Sequence, residues 1–288
     1  MKKITFVNSS GLEIIFINKP SPLVLQKFDT SSSVNIYSNK GMDQDGESYL
    51  SNTLDKRDIS LEIAIMAHNT IELVNSKNKI NKVFNPKAGE GFLIFYDGVR
   101  TRKVKCIINK TPYIVPISRD VMKCLISLTA CDPFWADLNE SRVEIALWRG
   151  SFEFPLELVT GGIEMGSRSQ SLIVTVNNLG DTETGLRCEF KALATLTNPS
   201  LLNITTGEFI KINKTMTAGE VISVSTYFGD KKITSTLNGV KTNIFNYIDF
   251  ESTFLQLDTG DNLMRYDADT GIDNLEVTIY YTQKYLGV

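Results

Sequence analysis

The sequence is poor in the residues that chemistry usually needs. Its 288 residues include one histidine and four cysteines. A lone histidine cannot complete a histidine-dependent nucleophilic triad unless His68 is itself the base. It stands just before a helix start, where a capping or solvated role is the ordinary one. Cys106, Cys124, Cys131 and Cys188 form no Cys-x-x-Cys pair. Their spacing excludes a zinc site and is too thin for a disulfide framework. Three of them stand among apolar or strand-like neighbours and read as buried free thiols. Long apolar runs are missing too: Leu12-Glu-Ile-Ile-Phe-Ile and Gly91-Phe-Leu-Ile-Phe-Tyr are far too short to span a bilayer. The start, Met1-Lys-Lys-Ile-Thr-Phe-Val-Asn, lacks the apolar core of a signal peptide and reads as a first strand made in the cytoplasm. An excess of basic charge is lacking as well. The net charge of −3, with 22% charged residues, leaves no basic footprint for nucleic acid. Thr160-Gly-Gly-Ile-Glu-Met-Gly lacks the lysine and the strand-to-helix context of a phosphate loop. No cofactor is expected.

Strand signals fill the space that remains. Ile4-Thr-Phe-Val, a turn at Asn8-Ser-Ser-Gly, and Leu12 to Ile17 predict an opening hairpin. Pro20-Ser-Pro breaks it. Leu23 to Gln44 is polar and serine-rich, with scattered β-branched residues. Tyr49 to Met66 predicts a long strand, because Ile59, Leu61, Ile63 and Ile65 alternate strictly and build one core face. One amphipathic helix follows. Asn69 is its N-cap, Glu72 closes a capping box, Leu73, Ile80 and Phe84 form the apolar side, and Asn85-Pro86 stops it. A helix of this kind among strands must lie across a sheet. Gly91 to Tyr96, the Asp97-Gly98 turn and Arg102 to Asn109 make another hairpin. Val121 to Ala130 is a further strand.

The second half has no helical period. Turn signals recur every 8–12 residues or so, the rhythm of a sandwich. Phe152 to Leu156, Ser171 to Val176, Leu186 to Ala192, Glu208 to Ile212, Val221 to Thr226 and Leu275 to Tyr281 all alternate. A mainly β protein of two domains is therefore expected, 1–137 with the helix and 138–288 as an antiparallel sandwich.

Candidate sites are few. Asp267-x-Asp269-x-Gly271-x-Asp273 has the opening of a calcium loop. Thr278 stands where the bidentate glutamate belongs, so a hairpin turn and no metal site is expected. Glu183, Glu208, Asp249, Asp258 and Asp261 fall at turns or strand edges, and nothing in their spacing brings two together as a glycosidase pair. The aromatics are the more telling group. Phe134, Trp135 and Trp148 bracket the polar stretch between the halves, as junction packing, an anchor for another subunit or a sugar platform would. Ile59 and Leu61 are the candidate subunit-contact positions on the long strand, whose edge would need a partner.

A strand, Cys131-Asp-Pro-Phe-Trp, a linker and a sandwich together resemble the distal tail protein (Dit) family of long-tailed bacteriophages. Gly207-Glu-Phe-Ile-Lys-Ile-Asn, Thr217-Ala-Gly-Glu-Val-Ile, Ser252-Thr-Phe-Leu-Gln-Leu-Asp-Thr-Gly-Asp-Asn and the late Tyr280-Tyr extend the resemblance to almost the whole chain. It implies an N-terminal barrel-like domain with one helix and a C-terminal sandwich similar to galectins and carbohydrate-binding modules. It also implies a non-enzymatic role at the virion tail tip, assembled in the host cytoplasm: a homohexameric ring joining the tail tube to the tail-associated baseplate protein, with DNA passing only in transit. The alternative is a carbohydrate-binding module for a host cell-wall glycan. The sandwich has no Trp after Trp148, the usual sugar-stacking ring.

Overall fold

A computed structural model of the chain describes residues 1–19, 21–145, 148–150, 166–168 and 172–288. By their contacts they form two compact units, Met1–Leu138 with Tyr285–Val288, and Asn139–Lys284. The sequence assigned everything after 137 to the sandwich, whereas the last four residues belong with the first unit.

The first unit is a barrel. Its strands are β1 (Lys3–Val7), β2 (Glu13–Ile17), β3 (Leu23–Asn39), β4 (Ser48–Met66), β5 (Gly91–Tyr96), β6 (Thr101–Pro116), β7 (Val121–Ala130) and β8 (Trp135–Asp137), with α1 (Thr70–Val83) between β4 and β5. The sheet runs β6-β5-β1-β2-β3-β4-β7, and β7 pairs back to β6 and closes it. Every contact is antiparallel except β2 with β3, which meet in parallel at Ile17 and Val24. Inward residues alternate along each strand, so Ile4, Phe6, Phe16, Ile59, Leu61, Ile63, Leu93, Ile126 and Leu128 make one core. The helix begins as its cap dictates: Asn69 accepts from the Glu72 amide at 2.8 Å. Glu72 reaches back to the His68 amide at 3.1 Å. That places the only histidine in a helix-start frame. Leu73, Ile80 and Val83 turn inward. Phe84, just past the helix, stacks on Phe6 at 4.5 Å and on Phe16 at 6.1 Å. The helix thereby adds an aromatic plug to the core.

The second unit is a sandwich. In chain order its strands are β9 (Ser141–Glu144), β10 (Trp148–Gly150), β11 (Gly166–Arg168), β12 (Ile173–Asn178), β13 (Thr184–Ala192), β14 (Leu196–Asn203), β15 (Phe209–Lys211), β16 (Thr215–Met216), β17 (Val221–Ser225), β18 (Lys232–Leu237), β19 (Val240–Asn243), β20 (Gln256–Leu257), β21 (Gly260–Thr270) and β22 (Leu275–Tyr281). One sheet runs β12-β21-β14-β15 and the other β19-β18-β17-β13-β22-β9. Phe190, Leu201, Ile222, Met264, Tyr266 and Val277 are among the side chains buried in its core. The expected strand at Phe152 to Leu156, the glycine stretch at Thr160 and the Trp148 side chain lie outside the described residues.

Two sequence expectations change here. Leu23 to Gln44, read as a polar segment, contains the 17-residue strand β3. Asp267 and Asp269, read as a turn, lie within β21. The turn itself is Gly271 to Asn274, where Gly271 has φ 73°.

Candidate assembly surface

The longest strands of the barrel are longer than the barrel needs. From Arg57 to Met66, β4 pairs with β7 on one side. On its other side it pairs with β3 along most of the same stretch. From Ser48 to Lys56 it pairs with β3 alone. These residues and β3 from Ser33 to Asn39 form a two-stranded arm whose tip is the turn Lys40 to Glu47. An isolated two-stranded ribbon is only marginally stable in water, and its unpaired N–H and C=O groups invite another chain.

The arm has two different faces. Residues opposite one another in an antiparallel pair share a face. Val34 pairs with Leu54 and Ile36 with Asn52, and the register shifts just beyond, at Leu50. Ile36 and Leu50 are 67% and 65% exposed. The other face carries Asn35, Thr53, Tyr37 and Ser51, with Tyr37 and Thr53 hydroxyls 3.5 Å apart. Ile59 and Leu61, the expected contact positions, are not on this arm. Both are buried in the barrel core and lie where β4 has strand partners on both sides. The open edge is therefore further toward the N-terminus of β4.

The Asp-Pro-Phe-Trp stretch is a turn and a plug. The Asp132 carboxylate accepts from the Phe134 amide at 3.2 Å, an Asx turn that reverses the chain after β7. Pro133 has no N–H with which to continue the ladder. Trp135 then starts β8 with a fully buried ring. It meets Phe28 edge-on at 6.3 Å and Phe95 at 6.5 Å. Trp135 is thus packed inside its own unit, and Phe134 beside it is half-buried.

Sequence reading missed the residue that holds this turn. Arg57 is almost fully buried. It donates from Nε to the Pro133 carbonyl at 2.6 Å, from one terminal nitrogen to the Thr30 hydroxyl at 3.2 Å, and from the other to the Leu286 carbonyl at 2.7 Å. Burial lowers its pKa, and the three acceptors compensate the buried cation. Arg102 donates to the Gly287 carbonyl and lies 3.7 Å over the Tyr285 ring. The Tyr285 hydroxyl donates to Asp137 at 3.2 Å. Two arginines thus strap the C-terminal tail onto the barrel beside the chain's exit. No sequence signal marks them, because their acceptors are backbone carbonyls far away in the chain.

The sandwich presents a polar sheet face and no convergent chemistry among the described residues. Arg187 lies 3.9 Å over the Tyr280 ring and is paired with Glu140 and Glu189. Lys191 pairs with Glu276. Asp269 is engaged by Lys211 and Asn198, each at 2.8 Å. Among the described residues, no three His, Cys, Asp or Glu side chains gather as a metal site. Burial pushes the Cys106 and Cys124 thiols up to about 12 and raises Cys188 as well. These thiols are inert packing groups.

Comparison with known proteins follows the same division. Residues 12–130 match the model of the phage tail protein RIFT-related domain. Residues 179–285 match that of the siphovirus-type tail component, C-terminal domain. No curated protein matches the sequence. Among solved structures, the chain is similar to the Dit protein (gp 19.1) of phage SPP1, described as a paradigm of the hub adsorption apparatus in phages that infect Gram-positive bacteria. The TM-score is 0.71 at 13% identity, over 98% of this chain and 99% of that one. A chain of the phage P2 baseplate in its calcium-activated conformation gives a TM-score of 0.53 at 10% identity, over all of both chains.

Proposed function

This chain belongs to the siphovirus distal tail protein family, and from that premise we propose that it is the structural hub of a tail tip. Its barrels assemble head to tail into a closed homohexameric ring. One face of the ring meets the tail-tube protein and the other the tail-associated baseplate protein, and DNA passes through the lumen without being held. Assembly takes place in the host cytoplasm. The observation that supports the ring is the arm at Ser33–Asn39 and Ser48–Lys56, a hairpin with no strand partner beyond itself among the described residues, together with the β6 edge beyond Cys106, which pairs with β7 alone. A repeated head-to-tail contact satisfies such an edge in every copy when the rotation closes.

The test is the mass of the full chain at tens of micromolar, by light scattering and native mass spectrometry, with and without tail-tube protein. A single closed species of defined multiplicity is expected. A strict monomer under both conditions overturns the ring.

A further inference from the structure

We infer that the strap Tyr285–Val288 is a coupling device, through which the barrel keeps its last strand only while the sandwich is folded. The sandwich is an insertion in the barrel's chain: Asn139–Lys284 interrupts a unit that ends at Leu138 and resumes at Tyr285.

The returning segment is built into the barrel. A last strand, β23 (Lys284–Tyr285), pairs with β8, and β8 pairs on its other side with β6. Tyr285 is buried in the same core cluster as Trp135. Arg57 and Arg102 donate to the next two carbonyls, those of Leu286 and Gly287. When the segment leaves, the buried Arg57 cation keeps only the Pro133 carbonyl and the Thr30 hydroxyl of its three acceptors. A buried charge that loses a hydrogen-bond partner is costly. Docking of the segment is therefore felt at the turn after β7 and at Arg57, the last residue of β4 that pairs with β7.

Four residues make a short docking segment, and its occupancy depends on how closely the chain holds it. Inside the sandwich, Ser141 stands opposite Tyr281 in the β9–β22 pair, with their Cα atoms about 5 Å apart. Lys284 is fixed to the same unit by its bridge to Thr182 and by the Asp181 amide, which donates to its carbonyl at 2.8 Å. A folded sandwich thus brings the entering and returning chain side by side and presents Tyr285 directly after an anchored residue. An unfolded sandwich makes the same docking close a loop as long as the whole stretch Asn139–Lys284. Closure falls as the three-halves power of loop length, a loss here on the order of a thousandfold. Folding of one unit is in this way carried to the other along the chain itself. A copy with a faulty sandwich carries a loosened barrel, and the β9–β22 pair is the clasp that decides which.

The experiment uses the full chain and reads amide hydrogen exchange by NMR at Tyr285 and along β8. A Gly/Ser linker of about 30 residues is inserted between Lys284 and Tyr285, so that both units keep their own sequences. Exchange at Tyr285 is expected to quicken about a hundredfold, by the same power law, while Phe190 in the sandwich and Ile63 in the barrel exchange as in the parent. Equal exchange at Tyr285 in parent and linker variant overturns the inference, because the segment then docks by its own affinity. Free exchange at Tyr285 in the parent overturns it as well. The second variant, Phe190→Asp, puts a charge into the sandwich core. With exchange protection lost at Cys188 and Val277, exchange at Tyr285 is expected to rise on the order of a thousandfold while Ile63 remains protected. A strap that stays protected beside an unfolded sandwich overturns the coupling.

Discussion

One strand of this protein lives in two environments. From Arg57 to Met66, β4 is closed in between neighbours and its inward side chains are fully buried. From Ser48 to Lys56 it has one neighbour and is mostly exposed. It is one strand from Ser48 to Met66, with register shifts against β3 at the root and near the tip of the arm. What changes is the side chains: Ile59, Leu61, Ile63 and Ile65 in the first stretch, serine, asparagine and threonine with isolated apolar residues in the second. The barrel half is stabilised by its own chain. The arm half is a surface kept available for another.

That contrast predicts the largest effect in the barrel half. Leu61 is fully buried in the core. Leu61→Ala should cost about 3–4 kcal/mol by lost transfer energy and a residual cavity. Urea unfolding of the full chain, read from the transition of the first unit, checks it. A loss below about 1 kcal/mol would mean that the barrel collapses easily around the site and that the two halves of β4 differ less than their burial suggests.

Next is the clamp at the root of the arm. Arg57→Leu keeps much of the side-chain volume but leaves the Pro133 and Leu286 carbonyls without their donor. Each orphaned buried acceptor costs about 1–3 kcal/mol, and a total of about 2–3 kcal/mol is expected. Hydrogen exchange should rise at Leu286 and the following residues before the barrel core opens. Uniform loss of protection would show that Arg57 supports the barrel as a whole and not the tail.

Legibility in the sequence followed the same line. The alternation of Ile59 to Ile65, the Asn69 cap, the Asp97-Gly98 hairpin and the strand before Asp-Pro-Phe-Trp were all readable, because burial by the chain itself writes an apolar period. β3 was not readable as a strand. Its outer half is polar on one face and only thinly apolar on the other, since its own chain does not bury it. β21 was mistaken for a turn because Asp267, Asp269 and Gly271 dominate its end. Its core members Asn262, Met264 and Tyr266 alternate with polar residues, one of them polar itself. β14 escaped because Asn198, at φ 53°, and Pro199 interrupt it. Arg57 could not be found at all: one of its acceptors lies 229 positions away, and a carbonyl leaves no trace in the residue type.

A third effect falls in the sandwich, around a buried carboxylate. Glu220 is buried and accepts from Lys214 and Ser235 at 2.5 Å and from the Thr217 amide at 3.2 Å. Burial by itself raises its pKa, and the three donors more than reverse this, so the carboxyl is held below the usual range. With the folded pKa depressed, the stabilisation is complete above the ordinary carboxylate value and disappears as pH falls through the depressed one. Glu220→Gln should cost about 1–2 kcal/mol at neutral pH. The gap between variant and parent should narrow on acidification below about pH 4. A gap that stays constant with pH would remove the carboxylate charge from the account.

The smallest effect on folding belongs to the arm, and it is the sharpest test of the comparison. Ile36 and Leu61 are both branched aliphatic residues on paired strands, and a reading by composition would rank them together. Ile36 is exposed and pairs across the arm with Asn52. Its removal creates no cavity in the chain. Ile36→Ser should therefore change the unfolding free energy of the monomer by no more than about 0.5 kcal/mol, the range of surface substitutions. Measured below the concentration at which copies associate, its urea midpoint should match the parent. Measured above it, the parent should gain stability from self-association by mass action and the variant should not. The difference between the two concentrations isolates what the arm is for. A variant destabilised equally at both would mean that the arm packs on its own barrel, and that the outer half of β4 is fold after all.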